Sequence, residues 1–148
     1  TPSTDTPSTS NSDEYEDVKD EIIALTNEVR AEHGVAALTK SDLIMEIAQQ
    51  RAEESAEMQA INHGRPDGTD MNTIFAEFGL DKHALQFGEN LAQLGRPIAE
   101  RAVTAWQNSE GHFLTMTSSN KNYIGIGLAE GADGKYYCCM ILTDKDRT

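Results

Sequence analysis

Residues 123–143, YIGIGLAEGADGKYYCCMILT, contain the clearest pair of β-strands in the chain. Two largely apolar runs, YIGIGLAE and KYYCCMILT, are joined by GADG, whose glycine and aspartate residues favour a tight turn. Runs of this length that are separated by turn residues predict a β-hairpin. The fold is therefore expected to contain a sheet, with two of its strands near the end of the sequence.

Helical periodicity dominates the sequence before this hairpin, because apolar residues recur at the spacing of one helix face in three segments. The first segment covers residues 14–33. The second covers residues 41–60, where alanine at nearly every fourth position forms a smooth ridge suited to close packing. The third begins with Pro97 at the first helical position and breaks near Gly111. The apolar stripes are Val18, Ile22, Leu25 and Val29; Ile44, Ala48, Ala52, Ala56 and Ala60; and Ile98, Ala102, Val103 and Trp106.

Two shorter elements are predicted between the second and third helices. MNTIFAEFGL (71–80) is typical of a short helix that ends at Gly79, and LQFGENLAQL (85–94) is typical of an extended segment. Helices in the first and middle parts, followed by strands, predict an α+β domain built in layers. Three acidic residues lie off the alanine ridge and are expected to form a solvated face: Glu53, Glu54 and Glu57.

The composition excludes several classes of partner. The 25 acidic residues outnumber the 12 basic residues and give a formal net charge of −13 at pH 7. This charge repels nucleic acid and anionic membrane surfaces, so neither is an expected partner. No apolar run reaches the roughly 18 residues of a membrane span, so we expect no transmembrane segment.

The first residues differ in composition from the rest of the chain. Residues 1–13, TPSTDTPSTSNSD, lack the apolar side chains that a packed core requires, and they are expected to form a disordered linker. A spacer rich in Ser, Thr and Pro suits a secreted or cell-surface protein. The folded domain is expected over residues 14–148.

The two cysteines, Cys138 and Cys139, are adjacent in the second predicted strand. Neighbouring strand residues point to opposite faces of a sheet, so these thiols are not expected to bond to each other or to share a metal. We expect two small apolar side chains, one of which is buried.

Two of the four histidines have unusual surroundings. His63 follows a helical segment and precedes the turn residues GRPDG, and His112 follows Gly111 near a predicted helix end. His33, at the end of the first helix, is expected to be structural. His83 is expected to lie on the surface between elements.

Two glutamates accompany this pair of histidines. Glu89 interrupts the apolar run of FGENL, and Glu110 lies two residues before His112. Two imidazoles and two carboxylates in one cleft can bind a divalent cation or act as an acid/base set. Spacing alone leaves these alternatives open, because no compact metal-binding motif links the residues.

A series of motifs resembles the CAP superfamily, also called the SCP-like or cysteine-rich secretory protein, antigen 5 and pathogenesis-related 1 domain, in its compact bacterial branch. In order, these motifs are TNEVRAEHGVAAL, HGRPDGTD, FGENLAQ, AVTAWQNSEGHF and YIGIGLAE. The resemblance spans about residues 20–143 and implies a three-layer α-β-α sandwich. It also implies a cleft lined by two histidines and two glutamates, which fall on His63, His112, Glu89 and Glu110.

The resemblance implies a secreted or cell-surface binding module. Its ligand is expected to be a protein, a cell-wall component or a small molecule. His63 and His112 are the expected ligands of a divalent cation, most plausibly Zn²⁺, with Glu89 and Glu110 as further ligands or as residues that orient the histidines.

Two other functions are compatible with the family. A metal-assisted hydrolase or peptidase would use Glu89 or Glu110 as its base, and a lipid-binding protein would use an apolar groove. A serine mechanism through Ser109 lacks a G-x-S-x-G motif and a third catalytic group in the sequence. Whether the chain catalyses any reaction stays open from the sequence.

Overall fold

The computed structural model describes residues 15–148, so the linker predicted for residues 1–13 and the start of the domain at Glu14 lie outside the described residues. The helices in the described part are α1 (Glu16–Glu32), α2 (Asp42–Met58), α3 (Ile74–Glu77), α4 (Ala99–Gln107) and α5 (Glu110–Met116). A 3₁₀ turn, Met71–Thr73, leads directly into α3. The strands are β1 (Thr39–Lys40), β2 (Phe87–Leu94), β3 (Tyr123–Glu130) and β4 (Tyr136–Thr143).

The strands form one mixed sheet in the order β1-β3-β4-β2. The predicted hairpin is confirmed: β3 and β4 are antiparallel, and their register runs from Tyr123 opposite Thr143 to Glu130 opposite Tyr136. On its other side β4 pairs with β2, again antiparallel. The sequence did not indicate β1, since its two residues are too few to show a periodic pattern; it pairs parallel to the start of β3.

Helices cover both faces of this sheet, as the predicted α+β layered architecture requires. On one face, α1 and α4 pack over alternate strand residues such as Ile126, Leu128 and Met140. On the other face, α2 packs over the intervening positions, including Leu91 and Ile141. None of the helices within residues 15–148 has the length and hydrophobicity that crossing a membrane requires.

The two cysteines follow the alternation of β4. Cys138 packs with α1 and α4, whereas Cys139 packs with α2, and both are free thiols. Both are also buried, so the expectation that only one would be buried is wrong. The reason is that helices cover this strand on both faces.

The alanine ridge of α2 lies directly against two glycines of β3. A Cβ atom added to Gly125 would collide with the backbone of Ile44, and one added to Gly127 would collide with the carbonyl group of Ala48. Ile44, Ala48 and Ala52 are completely buried. The IGIG pattern of β3 therefore allows the backbone of α2 to approach the sheet more closely than larger side chains would permit.

The third predicted helix is two helices in the structure. Its first helical residue is Ala99 rather than Pro97, and α4 ends at Gln107. Ser109 then adopts an extended conformation and starts α5, so Gly111 lies inside a helix and not at a helix end. Ser109 makes no capping hydrogen bond to the backbone of this helix. Because the helix restarts after Ser109, His112 lies in the first turn of α5.

We expect Gly127→Ala to destabilise the domain by about 1–3 kcal/mol, because the added methyl group must push α2 away from β3. Urea denaturation measures this loss. Gly95→Ala is the matched control, since a Cβ atom at Gly95 would meet nothing within 4 Å. Equal stability of the two variants would contradict the close approach.

Candidate functional site

The Gly-Glu-Asn triplet of β2 connects the sheet to two other parts of the protein, α5 and the loop that carries His63. A Cβ atom on Gly88 would lie 3.0 Å from the Thr115 side chain, so glycine allows α5 to pack tightly on this strand. The Asn90 Nδ2 group donates a hydrogen bond of 3.0 Å to the carbonyl oxygen of His112. Glu89 points to the opposite face of the sheet, where it meets His63.

His63 and Glu89 form a hydrogen-bonded pair at the β2 edge of the sheet. His63 Nδ1 lies 2.8 Å from Glu89 Oε1. The His63 side chain is 63% exposed, whereas that of Glu89 is 2% exposed. The hydrogen bond to Glu89 raises the pKa of His63 above its usual value. An exposed imidazole is thus oriented by a buried carboxylate.

Arg51, on α2, holds this carboxylate and the loop that carries His63. Its guanidinium contacts both oxygens of Glu89, with Nε at 2.6 Å and Nη2 at 3.1 Å. It also donates to the carbonyl oxygens of Asn62 at 3.0 Å and Gly64 at 3.3 Å, the residues on either side of His63. Arg51 is completely buried. One side chain therefore positions both members of the histidine–glutamate pair.

The ionic network continues from Arg51 through Glu54, Arg65 and Glu77. Glu54 accepts a hydrogen bond of 3.0 Å from Arg51 and one of 2.7 Å from Arg65, which also bonds to Glu77 at 2.7 Å. Burial alone would raise the pKa of Glu54, but the hydrogen bonds from Arg65 and Arg51 outweigh it and lower that pKa. Glu54 is 5% exposed, so the prediction that it belongs to a solvated acidic face is wrong.

The loop after α2 folds back on itself to present His63. The backbone N–H of Met71 donates to the carbonyl oxygen of His63 at 2.9 Å, and Arg65 N–H donates to Thr69 at 2.8 Å. Gly68 has a φ of +89°, a backbone conformation that residues other than glycine rarely adopt. The GRPDG residues thus close a tight loop whose base is fixed by Arg51.

His112 has different partners. Its Nδ1 lies 2.8 Å from the hydroxyl oxygen of Ser109, one turn away in α5. The far end of α5 is held by Arg30, whose Nη1 donates to the carbonyl oxygen of Met116 at 2.8 Å. Within residues 15–148 no carboxylate bonds to His112, so Ser109 and His112 do not form part of a hydrogen-bonded catalytic triad.

Glu110 is exposed at the first position of α5, and its side chain makes no hydrogen bond or ion pair with the other described residues. The structure therefore joins His63 directly to Glu89, while no hydrogen bond connects His112 or Glu110 to that pair. The other two histidines lie as expected: His33 ends α1 with Nδ1 2.9 Å from the Val29 carbonyl oxygen, and His83 is exposed.

The geometry limits how a metal can be held. Within residues 15–148, no group of three or more His, Cys, Asp or Glu side chains is arranged to hold a metal ion. Both oxygens of Glu89 already accept hydrogen bonds from Arg51. Glu89 therefore fits the orientation of His63 better than direct coordination, and a metal at this site would depend on imidazole ligands.

Sequence reasoning missed the arginines of this site. Arg51 lies on the buried face of α2, seven residues after Ile44, but its charge favoured a surface position, and Arg65 lies in a loop without a periodic pattern. A second signal was chemical: a glutamate in the apolar segment FGENL requires a cationic partner when it is buried. The position of that partner depends on the packing of α2 against the sheet.

A sheet covered by helices on both faces, with an oriented histidine at one edge, defines an SCP-like α+β domain. The chain belongs to the cysteine-rich secretory protein family, CAP, whose family model matches residues 23–141. It is 31% identical over 124 residues to the uncharacterized membrane protein YlbC of Bacillus subtilis. That match covers 79% of this chain but 32% of the relative, so this chain spans about a third of the relative's length.

Solved structures share the fold at lower sequence identity. An outer surface protein of Borrelia burgdorferi superposes with a TM-score of 0.76 at 19% identity, covering 89% of this chain and 96% of that one. An extracellular protein of Bacillus anthracis with an SCP domain gives a TM-score of 0.73 at 20% identity, covering 95% of this chain and 45% of that one. The SCP-like architecture predicted from the sequence is therefore confirmed.

We expect Glu89→Gln to lower the pKa of His63, because the neutral amide cannot stabilise the imidazolium ion. In the native protein, the charged His63–Glu89 pair stabilises the folded state. This stabilisation is complete below the pKa of His63 in the unfolded chain, about 6.5, and is lost as the pH rises through the raised pKa of His63 in the folded domain. NMR titration of the His63 ring in chelator-treated protein measures the change. An unchanged titration in the variant would contradict the role of Glu89.

Removal of the Arg51 guanidinium should be costly, because it leaves Glu89 buried without its cation. We expect Arg51→Met to lower the free energy of unfolding by about 3–5 kcal/mol. Arg51→Met/Glu89→Met should lose less, since no uncompensated charge remains at Glu89. Arg96→Met, at an exposed arginine, is the control in the same denaturation series. A double variant less stable than Arg51→Met would argue against this pairing.

Proposed function

We propose that this domain is an extracellular or cell-surface binding module in which His63 contacts the ligand. The observation that carries this proposal is the combination of a 63% exposed imidazole with a rigid support, the buried Glu89 and Arg51. A side chain that is both exposed and pre-oriented loses little conformational freedom when it binds. This arrangement suits recognition at the protein surface.

Two exposed apolar side chains lie close in sequence to the histidines of the predicted site. Within residues 15–148, the large hydrophobic residues classed as exposed are Ile61, at 47%, and Leu114, at 60%. Each lies two residues from a histidine of the predicted site, His63 or His112. A protein or a cell-wall component is the proposed ligand class.

The second part of the proposal is a site for a divalent cation, with Zn²⁺ as the preferred ion. The Nδ1 atoms of His63 and His112 are hydrogen-bonded to Glu89 and Ser109. The Nε2 atoms make no hydrogen bond within residues 15–148, so they are the available ligating atoms. Glu110 is an accessible carboxylate. Two imidazoles would leave positions open for water or a ligand, and their affinity would be lower than that of a site with four protein ligands.

The location proposed here draws on the related proteins. The Borrelia burgdorferi relative is an outer surface protein and the Bacillus anthracis relative is extracellular. A surface position is also compatible with the membrane protein of Bacillus subtilis. Metal-assisted hydrolysis and lipid binding stay predictions of the sequence. No contact of the His63 network favours either function over the binding module proposed for this domain.

Calorimetric titration with Zn²⁺ near pH 7.5 tests the cation site. We expect the native domain to bind at one site and His63→Ala/His112→Ala to lose that binding, because the variant lacks both ligating Nε2 atoms. His83→Ala, at an exposed histidine outside the network, should bind as the native domain does. Unchanged binding by the double variant, or no binding by the native domain, would refute the cation site.

A further inference from the structure

Lys19, on α1, is a buried cation without a hydrogen-bonding partner. Its residue is 1% exposed, yet its ammonium makes no hydrogen bond or ion pair with the other residues of 15–148. The other buried cations differ: Arg30 and Arg51 donate to several acceptors, and Lys121 bonds to Asn120 at 2.8 Å. The ammonium is not among the fully buried polar atoms without a partner in residues 15–148, so it keeps a small contact with solvent, and its surroundings determine what it can bind.

Lys19 lines a cavity of about 430 Å³ between α1 and α2, a volume within the range of small-molecule sites. The charged residues that act on the Lys19 ammonium include Glu16, Lys40 and Glu53, and all three line the same cavity. Cys138, on the covered face of β4, also acts on this ammonium, so Lys19 lies between the core and the cavity and forms part of the cavity wall. Burial lowers the pKa of Lys19, although Glu16 and Glu53 oppose this effect.

The charges of the cavity wall are only partly neutralised. Lys40 bonds to Glu16 at 2.8 Å and to Asp20 at 2.9 Å. Glu46 has no hydrogen-bonding partner for its carboxylate among the described residues, and Glu53 accepts a single hydrogen bond, from the Gln49 amide at 3.1 Å. Glu46 and Glu53 are seven residues apart on α2 and lie on the same face of that helix.

Gln49 does not compete for the Lys19 ammonium, because it has another role. Its Oε1 accepts a hydrogen bond of 3.0 Å from the Leu128 N–H, and its Nε2 donates to the Leu128 carbonyl oxygen at 3.0 Å. The Gln49 amide thereby covers the edge of β3 beyond β1. Among the described residues, the cavity thus keeps one ammonium without a partner and three available carboxylates, those of Asp42, Glu46 and Glu53.

We propose that this cavity binds an amino-acid-like zwitterion of dipeptide size, with the ligand carboxylate against Lys19 and the ligand ammonium against Glu46 and Glu53. The ligand supplies the acceptor that Lys19 lacks, and charge-assisted hydrogen bonds of this kind are stronger than neutral ones. The rim carboxylates disfavour a ligand that carries only negative charge. Gln50, which lines the cavity, donates a hydrogen bond of 3.3 Å to Glu54 of the His63 network, but the charged residues of the two sites are different and this proposal does not depend on the function proposed for His63.

NMR titration with L-alanyl-L-alanine as the probe tests this site. The native domain should show shifts in α1 and α2 around Lys19 and Glu53. N-acetyl-alanyl-alanine, which lacks the ammonium, and alanyl-alanine amide, which lacks the carboxylate, should each bind at least tenfold more weakly. Lys19→Met should also lose at least tenfold in affinity and, because it removes a buried unpaired charge, should remain folded in a thermal melt.

Two further variants complete the test. Glu46→Gln/Glu53→Gln should abolish the preference for the free ammonium over the acetylated probe. Lys82→Met, at an exposed lysine outside the cavity, should bind as the native domain does. Binding of either blocked probe as tight as that of alanyl-alanine, full binding by Lys19→Met, shifts elsewhere in the domain or no shifts at all would each overturn the proposal.

Discussion

The close contact between α2 and the glycines of β3 is the constraint on which the rest of the structure depends. Because Gly125 and Gly127 have no side chains, the backbone of α2 lies directly on the sheet. The close approach of α2 to the sheet brings Arg51, on the same helix, within hydrogen-bonding distance of Glu89 on β2. The position of the histidine-bearing loop then follows, since Arg51 also bonds to the carbonyl groups beside His63.

Burial of the ionic network makes the site selective for one arrangement of charges. Arg51, Glu54 and Glu89 are all buried, and each of these side chains finds a partner of opposite charge. Buried ions tolerate few alternative geometries, because any arrangement that leaves one unpaired is strongly unfavourable. The exposed imidazole of His63 therefore depends on interior electrostatics rather than on contacts made at the surface.

The elements with long regular patterns were predictable from the sequence. The β3–β4 hairpin and the helices α1 and α2 follow from apolar periodicity, and the family resemblance indicated His63 and Glu89 as members of one site. The break between α4 and α5 was missed because the apolar stripe continues to Trp106 and Ser109 was not recognised as a helix start. Glu54 and Glu53 are adjacent and chemically identical, so only the rotation of α2 separates the buried one from the exposed one.

The burial of Cys138 and Cys139 on opposite faces of β4 also affects the covalent chemistry of the domain. Burial raises the pKa of Cys138 to about 12 and that of Cys139 well above its usual value, so both sulfurs stay protonated at neutral pH. Thiolate is the form that attacks disulfides and oxidants, and neither thiol can supply it while the domain is folded. The folded domain can therefore pass between reducing and oxidising surroundings without disulfide exchange or covalent dimerisation, although its family is named for cysteine.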